Sequence, residues 1–424
     1  MLTAISRYGA RVIPNTEQTV AALEKQGRLI EGPEIAAFEQ AFARRLGLTR
    51  ATSASFGRMA FYYLLKALEL PKGSEIIFPA LTFWVVPELA RVAGLVPVFA
   101  DIDPRTYTID PDAFERAITP RTSAVVPTHL YGLMCDMEAV MRIARRHNVA
   151  VIEDCAHALG ARVRGQPAGT FGHGAFFSFQ TLKPLNTYGG GIAVARDPVV
   201  QQRLAALAAA EPWPSRERVT KRLQLGRAQR VLIRPRVFTW TLFPLLWGAS
   251  FVTANPDVYL WEKIRPLSPL PEPYPERYSN AQAAIGLEAL ALLDTWTTTT
   301  RKHAQQLDAT LSGTPGVQTP FVPEGYEHVY YQYCVEVPDR AGVIRHAIRR
   351  GVDVESLHVD VCPSLELFGA TASAERFPGA LRAAESVQLP VYEALSEAEV
   401  SKVARTLQRA VARTLRPKLA PSRA

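Results

Sequence analysis

Between residues 75 and 195 the chain alternates short apolar, β-branched runs with stretches of helical spacing. The apolar runs predict strands at Glu75–Pro79, Val96–Ala100, Ser123–Pro127, Ala150–Glu153, Ala175–Phe179 and Gly191–Ala195. Apolar positions three and four apart predict helices over Gly57–Leu70, Asp112–Ile118 and Asp136–His147. Strands apolar on both faces and separated by helices imply an α/β fold, with a mostly parallel central sheet sandwiched by helices. Ligands in such folds gather at the carboxyl ends of the strands. Phe83, Asp154 and Ser178 fall at or near such ends.

Further along, Ala281–Leu311 has a long helical pattern that connects into a smaller α+β domain. That domain contains strand-like runs at Val329–Val337 and Val352–Leu357 and a closing helix over Ser396–Leu415. A length of 424 residues exceeds what one core usually serves. The expected division is a large domain over 1–290, with a basic and apolar insert at 200–270, and a small domain over 291–424. No internal repeat is visible.

Composition changes this picture little, since 48% apolar and 21% charged residues are those of an ordinary globular chain. Charge is more telling. Arg216, Arg218, Lys221, Arg222, Arg227, Arg230, Arg234 and Arg236 face only Glu217 between residues 214 and 236, a local +7 within an overall +8. Basicity confined to one segment argues against a general nucleic-acid surface. Four scattered cysteines with no C-x-x-C, and no continuous apolar segment over Met1–Ala22, point to a cytoplasmic protein with reduced thiols. No pair of histidines has metal-ligand spacing, and Gly189–Gly191 lacks a dinucleotide or phosphate-loop fingerprint, so no metal site is expected.

The candidate chemistry lies in Lys183, about thirty residues after the acidic pair Glu153-Asp154. An amine that forms an imine and a buried carboxylate that keeps a pyridine nitrogen protonated are what pyridoxal phosphate requires. Several phrases surround them in order: GRLIEGPEIAAFEQAFARRLGL (27–48), FPALTFWV (78–85), PTHLYGLMCDMEAV (127–140), VIEDCAHALGA (151–161), GTFGHGAFFSFQTLKPL (169–185) and RYSNAQAAIGLEAL (277–290). With these, the chain resembles the DegT/DnrJ/EryC1/StrS sugar aminotransferases, fold-type I pyridoxal phosphate enzymes.

The resemblance implies that Lys183 is the Schiff-base lysine and proton carrier, and that Asp154 pairs with the pyridinium. It implies that His157 lies near the phenolic oxygen and Phe83 over the ring, with Trp84 as the rival for that place. The phosphate would meet the turn Ser55-Phe56-Gly57-Arg58, where Arg58 replaces the family's threonine, together with Ser178. Arg277, His328, Tyr330, Tyr331 and His358 are the substrate candidates. Two departures stand out: Pro275-Glu276-Arg277 replaces Asn-Tyr-Arg, and Tyr188-Gly189-Gly190-Gly191 replaces Gly-Glu-Gly-Gly.

The function implied is transfer of an amino group, from glutamate, to a nucleotide-linked keto sugar by a homodimer. The alternatives are a non-sugar carbonyl substrate, a dehydratase, which in this family carries histidine in place of Lys183, or a non-catalytic regulator. One segment stands apart from this. Residues 237–252 carry no charge. Pro244 and the need for both flanks to meet in one fold exclude a membrane span. Two readings remain open, a peripheral membrane contact through 214–254 and an arm packed into a dimer interface or over the site.

Overall fold

The structure is a computed structural model that describes residues 3–9, 11–252, 263–356, 359–369 and 374–415. Its centre is a seven-stranded sheet in the spatial order Thr52–Ala54, Gly191–Ala195, Gly174–Ser178, Ala150–Asp154, Thr122–Val125, Glu75–Pro79, Val96–Ala100. Gly191–Ala195 runs against both its neighbours, and the other neighbouring pairs are parallel. The six predicted strands are present with ends shifted by at most two residues. Thr52–Ala54 was not foreseen, because three small residues make no apolar run.

The reversal at Gly191 has a local cause. After Ser178 the chain returns to the sheet without a crossover helix, and Ser178 pairs with Gly191. Lys183 sits in this return. The helix Gly57–Leu68 packs so tightly over the same corner that side chains are excluded. A Cβ at Gly57 would lie 2.7 Å from Ser178 Cβ, and one at Gly191 would lie 2.2 Å from Gly57 Cα. Glycine at both positions therefore brings a helix N-terminus against the strand end that leads to the lysine.

The helix Asn280–Leu311 runs unbroken from one core to the other. Ala281, Ile285, Ala289 and Leu293 belong to the large-domain core, whereas Ala304, Leu307 and Leu311 belong to the small one. The change of core, expected at 290/291, thus falls within a helix. The small domain holds the antiparallel pair Tyr333–Glu336 and Ser386–Leu389 and the helices Arg340–Arg349 and Glu397–Thr414. Ser396 and Glu399 close the last of these with a capping box.

Four details depart from the sequence reading. The run from Val329 forms a strand only over Tyr333–Glu336, because Tyr330 adopts a left-handed turn (φ 48°). Among the described residues, the run from Val352 makes only isolated bridges, Val352 with Ile5 and Glu355 with Gln388. The N-terminal arm also leaves the large domain, since Ile5 is buried in the small-domain core. Finally, Pro198–Ala209, which falls partly within the expected 200–270 insert, packs on Gly57–Leu68.

Candidate active site

The return loop that carries Lys183 is pinned at its neck by one residue. Phe179 accepts from Thr187 and Gly189 N–H at 3.0 and 3.1 Å and donates to Gly190 carbonyl at 2.9 Å. From the long helix, Gln282 donates to the Thr187 and Gly189 carbonyls, and Tyr278, just before that helix, donates to Thr187. From the basic helix Arg216–Leu232, Arg230 donates to the Tyr188 hydroxyl, and Gly226 lets the backbone approach the Tyr188 ring. A loop held from three sides keeps its lysine in place.

Lys183 Nζ lies 2.6 Å from His157 Nε2 and 4.9 Å from the centre of the Tyr331 ring. His157 Nδ1 accepts from Tyr131 N–H at 3.4 Å. With Nδ1 accepting, Nε2 carries the ring proton and can donate to Lys183 when the amine is neutral. The amine's pKa is lowered from the ordinary lysine value. Burial, and to a lesser extent Arg58, push it down to about 8, while Asp154 and Glu355 oppose the shift.

Asp154 ends its strand beneath the lysine and is buried. Its Oδ1 accepts from Ala156 N–H at 3.0 Å. Burial pushes its pKa up to about 6 against the pull of that bond and of Lys183 and His129. Among the described residues it has no ion pair, so a protonated ring nitrogen would complete its surroundings. Its neighbour Glu153 is already satisfied by N–H groups of Gly169, Phe171 and Gly172 and by His129. His129, Glu153 and Cys155 are close enough to share a cation. The Glu153 oxygens are instead filled by these donors, and the cluster reads as buried scaffolding.

Across the cleft, no side chain caps the N-terminus of Gly57–Leu68. That uncapped N-terminus, the nearby Ser178 and the buried Arg58 are the groups present that suit an anion. Arg58 donates to the Tyr274 hydroxyl and lies 5.6 Å over the Phe83 ring. Phe83 is half-buried on this side, whereas Trp84 is 1% exposed within the core. A buried amine, a buried carboxylate, an aromatic ring and a helix N-terminus with its arginine are therefore neighbours, since Lys183 feels the charges of Asp154 and Arg58 and Arg58 lies over Phe83. That set fits pyridoxal phosphate end to end.

The substrate candidates separate. Tyr331 stacks on His157 at 4.2 Å, and Tyr330 lines the same cavity. His328 serves the turn instead, accepting from Tyr330 N–H at 2.8 Å and stacking on its ring. Burial and Arg301 push its pKa down to about 3. Arg277 lies elsewhere in the chain, 3.9 Å over Trp213 in a groove that Lys183 does not line. His358 falls outside the described residues. Sequence reading missed the N-terminal arm. Tyr8 and Arg11 line the cavity at Lys183, with Tyr8 bonded to Glu355 and Arg11 to the Pro184 carbonyl. No local pattern signals contacts across nearly 350 positions.

The DegT/DnrJ/EryC1/StrS aminotransferase family matches residues 12–226 and 273–408. Among curated relatives, a UDP-N-acetyl-3-dehydro-alpha-D-glucosamine 3-aminotransferase from Acidithiobacillus ferrooxidans is 28% identical, over 91% of this chain and 89% of its own. An L-glutamine:2-deoxy-scyllo-inosose aminotransferase from Streptomyces kanamyceticus is 33% identical, over 76% and 69% respectively. The crystal structure of the aminotransferase TlmJ from Streptoalloteichus hindustanus superimposes with a TM-score of 0.78 at 25% identity. That match covers 97% of this chain and 99% of the other.

Proposed function

The chain belongs to the DegT/DnrJ/EryC1/StrS aminotransferase family, and on that premise we propose that it uses pyridoxal phosphate to move an amino group from glutamate to a nucleotide-linked keto sugar. One observation carries the reading. The Lys183 amine is held 2.6 Å from His157, three residues beyond the buried Asp154, and close enough to Asp154 and Arg58 to feel both charges.

When bound, the cofactor supplies an electron sink that lets an amino group leave one carbon and join another. This chain's residues do the rest. Lys183, its pKa lowered toward neutrality, would take the proton from the substrate carbon and hand it on from the same nitrogen to the carbon of the cofactor. His157 orients that amine. Asp154, which among the described residues makes no ion pair, would hold positive charge at the ring nitrogen. The cradle of Arg58, Ser178 and the helix N-terminus fixes the phosphate. Arg11 and Tyr8 line the cavity where the substrate's polar groups would enter, which suits an anionic, hydroxylated acceptor.

The relatives named for UDP- and GDP-linked sugars support the acceptor class. The relative named for 2-deoxy-scyllo-inosose and glutamine keeps a second acceptor and a second donor in view. The experiment is spectroscopic. The purified protein turns yellow with pyridoxal phosphate, bleaches with glutamate, and regains colour when the correct keto acceptor is added from a panel containing both classes. Lys183→Ala acquires no such colour. A wild-type protein that never turns yellow, or that bleaches with no amino acid, defeats the proposal.

A further inference from the structure

Two short helices, Pro235–Trp240 and Leu242–Ala249, lie inside the stretch 227–272 that the family does not match. From Val237 to Val252 no side chain is charged. Leu242–Ala249 buries none of its residues. Trp240 is 70% exposed, Leu245 72% and Val252 91%, with Trp247 and Phe251 about half exposed. Single exposed apolar side chains are ordinary, but five within thirteen residues make a patch.

The patch is mounted firmly. Phe238 is buried 5.8 Å from Phe243, and Phe243 and Leu246 pack against the small-domain core. Thr239 accepts from Ala4 N–H at 2.9 Å. Arg349 donates to the Ser250 carbonyl at 3.1 Å and lies 4.1 Å over the Phe251 ring. The outward side chains thus stand on a braced platform.

Around the patch the protein is basic. Arg234 and Arg236 are exposed at the start of the first helix, and Arg349 and Arg350 at the edge below the second. Arg409 and Arg413 join Arg349 and Arg350 around His346, and together with burial they hold its pKa down. Among the described residues, none of Arg234, Arg236, Arg350, Arg409 and Arg413 has an ion pair. A tryptophan-bearing apolar face with an arginine rim matches the boundary of an anionic bilayer. A second copy seated on it across a two-fold axis would set one cationic rim against another. Crossing is excluded for the described helices, none of which is long and apolar enough.

We propose that Trp240–Val252 is a peripheral docking face for anionic phospholipid, with its aromatic and aliphatic side chains at the acyl boundary and the arginines on headgroups. The test is flotation of the holoenzyme with vesicles of phosphatidylcholine and phosphatidylglycerol in equal parts, beside phosphatidylcholine alone. Wild-type protein is expected to float with the anionic vesicles and to be released by salt. The exposed triple change Trp240→Ser, Leu245→Ser and Trp247→Ser should lower partition about ten-fold or more, and so should Arg234→Glu with Arg236→Glu. Near-ultraviolet circular dichroism checks that both variants stay folded. Wild-type protein left at the bottom of the gradient overturns the proposal, as do variants that float equally well. A triple variant whose mass by light scattering falls to half, from a wild type that ignores vesicles, assigns the face to a second copy instead.

Discussion

Lys183 shows how one side chain's titration is set by its neighbours. The neutral amine is the nucleophile, and its pKa lies near 8 because burial disfavours the ammonium. The rate at which cofactor-free protein captures pyridoxal phosphate should therefore rise with pH through about 8 and then level off, as stopped-flow absorbance would record. Asp154 raises this pKa and Arg58 lowers it. Asp154→Asn should move the midpoint down and Arg58→Ala should move it up. A midpoint near the ordinary lysine value in the wild type would mean the amine is solvated. At this scale the sequence was informative where residues are local. Lys183, Asp154 and His157 were legible because a strand end and a loop put them in fixed order. Tyr8 and Arg11 were not, since only the folded chain brings residue 8 to residue 355.

Elements are held by contacts that individual small residues permit. Gly226 lets the basic helix lie against Tyr188, and an added methyl there would sit 2.1 Å from the ring. Gly226→Ala should gain about 1 kcal/mol in helix propensity yet lose more through that clash. We expect a net destabilisation of about 1–2 kcal/mol in urea titration and weaker cofactor retention. Adding Tyr188→Ala should recover the cofactor affinity, a rescue that general damage to the helix would not give. At the opposite end of the chain, Ser396→Ala removes a capping box and should cost about 1 kcal/mol with no effect on colour. Strands were legible to within two residues because each reads as a short apolar run, most of them buried in the central sheet. The Val329 run was overread because a hydrogen bond from Tyr330 to His328 turns the backbone, and hydrophobicity alone does not report that turn.

At the level of the whole molecule, the site is closed by parts from both domains. Val329 N–H donates to Gly132 carbonyl at 3.0 Å, and Gln332 N–H donates to Tyr131 carbonyl at 3.3 Å. The N-terminal arm completes it through Arg7, paired with Asp353 at 2.5 Å, and Tyr8. Removing residues 1–9 should therefore leave the Lys183–Asp154 corner able to bind pyridoxal phosphate. Transfer to the acceptor should fall by more than about ten-fold. Equal loss of colour and turnover would show that the arm supports the fold rather than the substrate cavity. The α/β class and the sheet were apparent from periodicity. The position of the arm was not, because its partners lie at the far end of the chain.

The 32-residue helix Asn280–Leu311 spans about 48 Å without interruption. Relative motion of the two lobes must flex a hydrogen-bonded rod instead of swinging on a loop. Such a rod resists bending, so the lobes answer to a substrate with tilts of small amplitude. Catalytic distances set at one end of the rod are then carried to the other almost unchanged through each turnover.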